Sequence, residues 1–206
     1  EANHILADKL TVAMSLIVGL VPEEYQDKVV SQLKDDVVKR GYAITAGDVG
    51  HPFLIAALMK YGMNDLLNKM TNITDRPGYG YQVKNGATTL TEEWDGPDPN
   101  RPHGSQNHLM LGSIDEWFFA GLGGIGSIRT NQEFNHVTIC PHIAENMDFF
   151  KVQMKHPYGI IGVSWEKAGE TTTVTVTIPP NTTATICTED KKKEWVIGSG
   201  TYTYTI

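Results

Sequence analysis

Carboxylates and aromatic rings are crowded into one glycine-rich stretch of the chain, residues 80–96. Flat rings stack on the apolar faces of sugars, while carboxylates accept hydrogen bonds from hydroxyl groups or activate a water molecule. Residue types of this kind therefore favour carbohydrate chemistry. The side chains concerned are Tyr81, Glu92, Glu93, Trp94 and Asp95.

A second polar segment, residues 105–108, follows after a loop rich in proline and glycine. It ends at His108 and leads directly into a helical pattern over residues 109–122. Two polar clusters separated by such a loop predict two walls of one pocket. The long irregular region that contains them, residues 74–107, is predicted to be a functional loop because its aromatic residues argue against disorder.

Composition excludes several classes of function. The chain has 206 residues and a formal net charge of −7, which argues against a general nucleic-acid partner because phosphate contacts need a basic surface. The histidines show no spacing such as His-x-x-x-His, so neither a metal site nor a cofactor is predicted. The length is sufficient for one large domain or two small ones with a real core.

The apolar N-terminal stretch, residues 5–21, raises the question of a membrane span. Asp8 and Lys9 interrupt it, and it falls short of the ~20 apolar residues that a span needs. It also lacks the features of a signal peptide, so no membrane partner is predicted and the compartment stays open. The chain begins at Glu1 without a methionine, which predicts a piece of a longer protein.

Helical patterns dominate the first part of the chain. In the second helix, Tyr25, Leu33 and Val37 lie on one apolar stripe. The helices are joined by short turns, which predict antiparallel hairpins. The predicted helices run over residues 4–21, from Pro22 to about Arg40, from Pro52 to Tyr61, from Asn64 to Met70 and from Leu109 to Leu122.

After Gly126 the pattern changes to a period of two, which is typical of strands. Seven short strands at this spacing predict an antiparallel sandwich over residues 131–206, following a helical domain over 1–130. Cys140 and Cys187 are predicted to be buried thiols, with a bridge as the alternative if their strands are neighbours. The predicted strands cover residues 137–139, 149–152, 159–165, 171–178, 182–187, 194–197 and 201–206.

Three segments together carry a family resemblance. They are TAGDVGHPFLIAALMKYG at 45–62, PGYGYQVKNGATTLTEEWDG at 77–96 and SQNHLMLGSIDEWFFAGLGGI at 105–125. In this order and spacing, followed by a small β domain, they resemble the C-terminal part of the α-L-rhamnosidases of glycoside hydrolase family 78. The resemblance covers roughly residues 5–205.

The resemblance implies a fold of α and β domains, a partial (α/α)6 toroid of helical hairpins followed by an antiparallel β-sandwich. It also implies inverting hydrolysis of terminal α-L-rhamnose, in which one carboxylic acid protonates the leaving oxygen and a carboxylate activates water. The family's base falls on Glu92, its sugar-holding histidine on His108 and its loop tryptophan on Trp94. The family often has tryptophan at the position of Thr91, which implies a different wall of the sugar subsite here.

The resemblance also implies that half of the catalytic machinery is absent. The family's general acid lies well upstream, in helices that this chain does not contain, so the chain alone is predicted to be inactive. A half-toroid exposes apolar helix faces. The missing N-terminal half of the toroid or a homo-oligomer is predicted to cover them, and the predicted ligand is a rhamnose-containing oligosaccharide or glycoside.

Each proposed sugar contact has a structural alternative. Trp94 stacks on the sugar or packs under the loop, and His108 holds the sugar or simply starts a helix. Tyr81 lines the pocket or anchors the loop. Asp95 orients a hydroxyl group or closes an Asx-turn. Asp48, with His51 close behind it, either faces the pocket or caps the third helix.

Two other functions remain open from the sequence. The chain is alternatively a carbohydrate-binding or structural fragment that acts through its β-sandwich. A third alternative is a hydrolase or lyase of another sugar on the same toroid. Lyases use a Tyr/His or Lys/Arg pair, and no arginine lies near Glu92, which counts against a lyase.

Overall fold

The structure is a computed structural model, and it describes residues 9–126, 135–188 and 192–206. Residues 4–8 of the first predicted helix and the predicted domain boundary near residue 130 lie outside the described residues. The chain divides into two compact units between Ile114 and Asp115. In the described ranges, no helix combines the length and apolar character that a bilayer crossing requires.

The first unit is helical, as predicted. α1 packs on α3, and the side chains of Ala13 and Leu16 of α1 are buried in the core of this unit. α1 ends at Ile17 and is followed by Gly19 with φ of 75°, a left-handed conformation that glycine adopts without steric cost. The helices are α1 (Lys9–Ile17), α2 (Glu23–Lys39), α3 (His51–Lys60), α4 (Asn64–Asn72) and α5 (Tyr79–Lys84).

α2 follows its sequence signals closely. Pro22 occupies the N-cap position. Acidic residues lie in the first turn, at the positive end of the helix dipole, and Lys39 lies in the last turn, at the negative end, so both interactions are favourable. Leu33 and Val37 are buried as predicted. Tyr25 is 54% exposed, so the buried stripe is shorter than predicted.

α5 lies inside the region that was predicted to be an irregular loop. It packs against α4, and a Cβ atom added at Gly80 would lie 2.5 Å from the carbonyl oxygen of Ile73. Only glycine permits this approach between the two backbones. The glycines that read as loop signals therefore allow close packing of a short helix.

The segment predicted as one helix over 109–122 is not a single α-helix. It consists of a 3-10 helix (Leu109–Ser113), one α-helical turn (Ile114–Glu116) and a π-helix (Trp117–Leu122). The apolar positions of the pattern are buried, as shown by Leu111, Ile114 and Trp117. The hydrogen-bond period was not predictable from that pattern.

The second unit is formed by strands at the predicted positions. One sheet has the order β2-β3-β4-β7 and is antiparallel throughout, while the other has the order β1-β5-β6 with β1 parallel to β5. The strands are β1 (His136–Ile139), β2 (Phe149–His156), β3 (Gly159–Ala168), β4 (Thr171–Ile178), β5 (Thr183–Cys187), β6 (Glu194–Ile197) and β7 (Gly200–Thr205).

The register of the larger sheet follows the alternation of its side chains. Val163 of β3 is opposite Val152 of β2 and Val176 of β4, and Trp165 is opposite Phe150 and Val174. These positions share one face, which carries the buried side chains Val163, Trp165, Val174 and Val176. The opposite face carries mainly threonine, charged and other polar residues, together with the exposed ring of Phe149.

Cys140 and Cys187 form a disulfide, with Cα atoms 4.8 Å apart. The expectation of two separate buried thiols was wrong, and the alternative of a bridge holds. The physical reason is the parallel pairing of β1 with β5, which places Cys140, the residue after Ile139, beside Cys187, the residue after Ile186. Sequence alone did not show which strands are neighbours.

Candidate active site

The two polar segments predicted as walls of a pocket are joined by backbone hydrogen bonds. Glu92 N–H donates to the oxygen of Ser105 at 2.8 Å, and His108 N–H donates to the oxygen of Leu90 at 2.7 Å. Residues 90–108 thus form a hairpin, here called the acidic hairpin. The Pro/Gly-rich loop between the two segments is its tip.

Glu92 is exposed on the acidic hairpin, and one of its carboxylate oxygens is held in place. Oε2 accepts a hydrogen bond of 3.0 Å from the backbone N–H of Ser105. The same two residues are therefore joined by a backbone–backbone and a backbone–carboxylate bond. A held but solvent-accessible carboxylate is suited to bind and deprotonate a water molecule.

Thr91 and Gln82 lie beneath Glu92. Thr91 is 1% exposed, and its hydroxyl donates to the carbonyl oxygen of Glu93 at 2.8 Å. The side chain of Thr91 points into the hairpin, and the different wall of the sugar subsite that the resemblance implies at this position stays a prediction. Gln82 of α5 is 2% exposed and contacts the backbone of Thr91 and Glu93. It was missed because α5 itself was not recognised.

Three rings pack together under the hairpin. The ring centroids of His51, Tyr79 and Trp94 are separated by 4.9 to 5.6 Å, with tilted or edge-on geometry. The indole Nε1 of Trp94 donates to the carbonyl oxygen of Ala46 at 2.8 Å, and the ring is 7% exposed. Trp94 therefore packs under the loop, and a sugar contact by this ring stays a prediction.

The hydrogen bonds of this aromatic cluster determine the tautomer of His51. The hydroxyl of Tyr79 donates to the carbonyl oxygen of Leu111, so it accepts from Nε2 of His51 at 2.8 Å. Nε2 then carries the proton, and the buried Nδ1 is without a hydrogen-bond partner. Burial lowers the pKa of His51 to about 4, which keeps the ring neutral. The ring is 0% exposed, and a direct sugar contact by His51 stays a prediction.

The structure brings Asp48 and His108 together. Oδ2 of Asp48 is 3.5 Å from Nε2 of His108, and the side chains are 43% and 22% exposed. At this distance the contact is electrostatic, since Nε2 lacks a hydrogen-bond partner. Oδ1 of Asp48 accepts from the N–H of Val49, and the N-cap position of α3 is Gly50, so Asp48 does not cap this helix.

Asp95 and Tyr81 are more accessible to solvent than the side chains buried in the aromatic cluster. Oδ1 of Asp95 is 3.3 Å from Nε2 of His103, in an exposed contact close to the tip of the acidic hairpin. The pKa of His103 is raised, first by its hydrogen bond to the carbonyl of Arg101 and then by Asp95. Tyr81 is half-buried on α5. Sugar contacts by Asp95 and Tyr81 stay predictions.

The hairpin, the neutral aromatic cluster and the Asp48–His108 contact define a polar site on a helical scaffold, in which the accessible carboxylate of Glu92 is held by a backbone N–H. Such a site suits glycoside hydrolysis. The family described as bacterial alpha-L-rhamnosidase 6 hairpin glycosidase domain matches residues 5–122. The family described as bacterial alpha-L-rhamnosidase C-terminal domain matches residues 124–202. The chain belongs to the bacterial α-L-rhamnosidase family.

Curated relatives agree with this assignment. An alpha-L-rhamnosidase of Formosa agariphila is 28% identical over 192 residues, which cover 90% of this chain and 20% of the relative. A second one from the same organism is 31% identical and covers 88% of this chain and 19% of the relative. The chain thus spans about a fifth of the length of the curated relatives that it matches.

Solved structures show the same fold. The native rhamnosidase of Aspergillus terreus superimposes with a TM-score of 0.89 at 26% identity, covering 96% of this chain and 24% of that chain. The rhamnosidase of Streptomyces avermitilis, solved in complex with L-rhamnose, gives 0.85 at 23% identity and covers 96% and 21%. The predicted fold class, helical hairpins followed by an antiparallel sheet domain, is confirmed.

Proposed function

We propose that this chain supplies the water-activating side of the catalytic pocket of an inverting α-L-rhamnosidase, with Glu92 as the general base. The observation that carries the proposal is the placement of the Glu92 carboxylate, which is exposed yet held by the backbone N–H of Ser105. Membership in the rhamnosidase family supports the substrate, a terminal α-L-rhamnosyl group of an oligosaccharide or glycoside.

The remaining predicted residues fall into two groups under this proposal. His108, oriented by the carboxylate of Asp48, donates or accepts hydrogen bonds with the sugar hydroxyls, and Asp95 and Tyr81 contribute at the rim. His51 and Trp94 support the hairpin from below through their contacts with Tyr79 and Ala46. No metal or cofactor is required, because a carboxylate pair supplies both proton transfers.

The general acid is proposed to come from the rest of the toroid. An inverting enzyme needs a second carboxyl group roughly 6.5–9.5 Å from the base, which leaves room for the attacking water. The chain's share of its relatives, about a fifth, is consistent with an acid in another part of the whole protein. The same upstream half, or a second copy of the chain, covers the apolar helix faces.

The test uses the full-length protein and an aryl α-L-rhamnoside. Glu92→Gln is expected to lower kcat by roughly 10²–10⁴-fold, the usual contribution of a general base. Glu93→Gln is the matched control, because the neighbouring side chain is also exposed but lacks the bond to Ser105. Proton NMR of the first turnovers is expected to show β-L-rhamnose, and release of the α anomer would exclude inversion.

The isolated chain provides a second test. It is expected to show no measurable turnover because the acid is absent. Turnover comparable to that of the full-length enzyme, abolished by Glu92→Gln, would place the acid within this chain and contradict the proposal.

A carbohydrate-binding role of the sheet unit is the second candidate, and one observation favours it. A cavity of about 350 Å³ lies on the larger sheet, lined in part by Phe149, Lys151, Ser164 and Glu166. Phe149 is 72% exposed, so its ring is available for stacking on a sugar. Calorimetric titration with L-rhamnose discriminates between the two sites. Binding that survives loss of His108 and Trp94 would favour the sheet.

A further inference from the structure

We propose that Gln82 is the positioning residue of Glu92, because its amide group binds the backbone on both sides of the glutamate. Oε1 of Gln82 accepts from the N–H of Thr91 at 3.3 Å. Nε2 donates to the carbonyl oxygen of Thr91 at 3.4 Å and to that of Glu93 at 3.5 Å. This inference rests on the proposed role of Glu92 as the base.

The chemistry of the contact requires an amide. A glutamine side chain offers one acceptor oxygen and two N–H donors, and here all three functions face backbone groups. The distances are at the long end for hydrogen bonds, so each bond is weak and the set acts together. Gln82 is 2% exposed, and water therefore does not replace these bonds at low cost.

The contact links two different elements. Gln82 belongs to α5, whose close approach to α4 depends on Gly80, whereas Thr91 and Glu93 belong to the acidic hairpin. The amide therefore transmits the position of the helix to the backbone of Thr91 and Glu93, the residues on either side of Glu92. The hydroxyl of Thr91, which also donates to the oxygen of Glu93, reinforces the same backbone conformation.

This arrangement explains how an exposed carboxylate is kept in one orientation. Beyond its backbone, the Glu92 side chain is held by the N–H of Ser105 at Oε2. If the peptide groups of Thr91 and Glu93 rotate, the Cα–Cβ bond of Glu92 rotates with them. The carboxylate then no longer points at the water molecule that it is proposed to activate. A misplacement of about 1 Å can lower a rate by 10²-fold. The peptide group between Leu90 and Thr91 also accepts from the N–H of His108 through the Leu90 oxygen. Sugar binding through His108 and Asp48 is therefore expected to change as well, but less than the position of the carboxylate.

The experiment compares kcat and KM of full-length variants on an aryl α-L-rhamnoside. Gln82→Met keeps the length of the side chain and removes the amide, and we expect kcat to fall by roughly 10–100-fold with KM changed less than ~3-fold. Gln26→Met is the matched control, since Gln26 lies on α2 and its Nε2 donates to the oxygen of Val21, away from the hairpin.

Gln82→Glu adds a pH readout that a loss of folding alone would not produce. The introduced carboxyl group can donate to one carbonyl oxygen when protonated, but when ionised it opposes the carbonyl oxygens of Thr91 and Glu93. The neighbouring carboxylates Glu92 and Glu93 disfavour a further negative charge as well. We therefore expect kcat, relative to the unaltered protein, to be highest at low pH and to fall as pH rises.

The outcomes are distinguishable from those that test the base itself. Rates are expressed per folded molecule, counted by calorimetric titration with L-rhamnose, so that a poorly folding variant still gives a result. Unaltered kcat in both Gln82 variants, with Glu92→Gln inactive, overturns the positioning role and leaves the base in place. If Glu92→Gln retains full activity, Glu92 is not the general base, and the proposed function is contradicted together with the role of Gln82 that rests on it.

Discussion

The indole N–H of Trp94 donates to the carbonyl oxygen of Ala46 at 2.8 Å, which ties the acidic hairpin to the segment before α3. The two residues are 48 positions apart in the sequence, so the bond closes a long loop of chain. Because Trp94 also contacts His51 and Tyr79 edge-on, the base of the hairpin is part of the core of the helical unit.

Removal of the Trp94 donor is expected to destabilise the helical unit. Trp94→Phe leaves the oxygen of Ala46 unpaired in a buried place, at a cost of about 1–3 kcal/mol beyond the lost ring volume. Trp165→Phe is the control, since Trp165 is 1% exposed and its Nε1 lacks a hydrogen-bond partner. Thermal unfolding of the full-length variants measures both, and equal shifts in Tm would contradict the role of the bond.

The depressed pKa of His51 predicts a loss of stability in mild acid. The pKa is about 4 in the folded state against 6.5 for the free side chain, so between these values the unfolded chain binds a proton that the folded chain does not. Stability therefore falls as pH decreases from 6.5 towards 4, by about 3 kcal/mol over the window.

The His51 effect is measured as Tm against pH for the unaltered protein and for His51→Gln. Glutamine retains an N–H donor for the hydroxyl of Tyr79 but does not titrate. We expect the variant to show a smaller slope between pH 6.5 and 4. Parallel curves would mean that other groups cause the acid sensitivity.

The contact of Asp48 with His108 predicts a specific loss of sugar binding. Asp48→Asn removes the negative charge 3.5 Å from Nε2 of His108, and we expect the Kd for L-rhamnose to rise by about 10-fold, or 1.4 kcal/mol. Asp98→Asn is the control, because the carboxylate of Asp98 accepts from the N–H of Asn100 in the hairpin tip. An equal effect of both variants in calorimetry would indicate a nonspecific charge effect.

The disulfide between Cys140 and Cys187 predicts a redox-dependent stability of the sheet unit. It closes a loop with a sequence separation of 47, for which chain entropy gives a stabilisation of about 4 kcal/mol. We expect a lower Tm after reduction and in the double variant Cys140→Ala/Cys187→Ala. Thiol titration of the denatured, unreduced protein should find neither cysteine free, and two reactive thiols would refute the bridge.

Sequence patterns predicted the strands of the second unit well because the side chains of most of them alternate between two faces. The Thr171–Ile178 strand is an example, with Val174 and Val176 buried between exposed or half-buried threonines. Strand neighbours are a tertiary property, however, and the parallel pairing of β1 with β5 has no local signal.

The candidate site was only partly predictable for a similar reason. The residue types of the hairpin predicted carbohydrate chemistry, and the family resemblance predicted the roles of Glu92 and His108. The structure places both residues on paired segments of one hairpin. The burial of His51 and the contacts of Gln82 depend on α5, whose glycines gave a loop signal. A pattern of residue types cannot show that a glycine serves close helix packing instead of a turn.

The base of the acidic hairpin is hydrogen-bonded to the rest of the helical unit, whereas its tip bonds mainly to itself. Its base is tied to the core through Gln82 and Trp94, whereas residues 98–102 bond mainly within the tip, as in the bond from Arg101 N–H to the oxygen of Asp98. Length and composition of the tip can thus change without moving Glu92. The tip is therefore a place where loops can be exchanged in the laboratory without disturbing the proposed base.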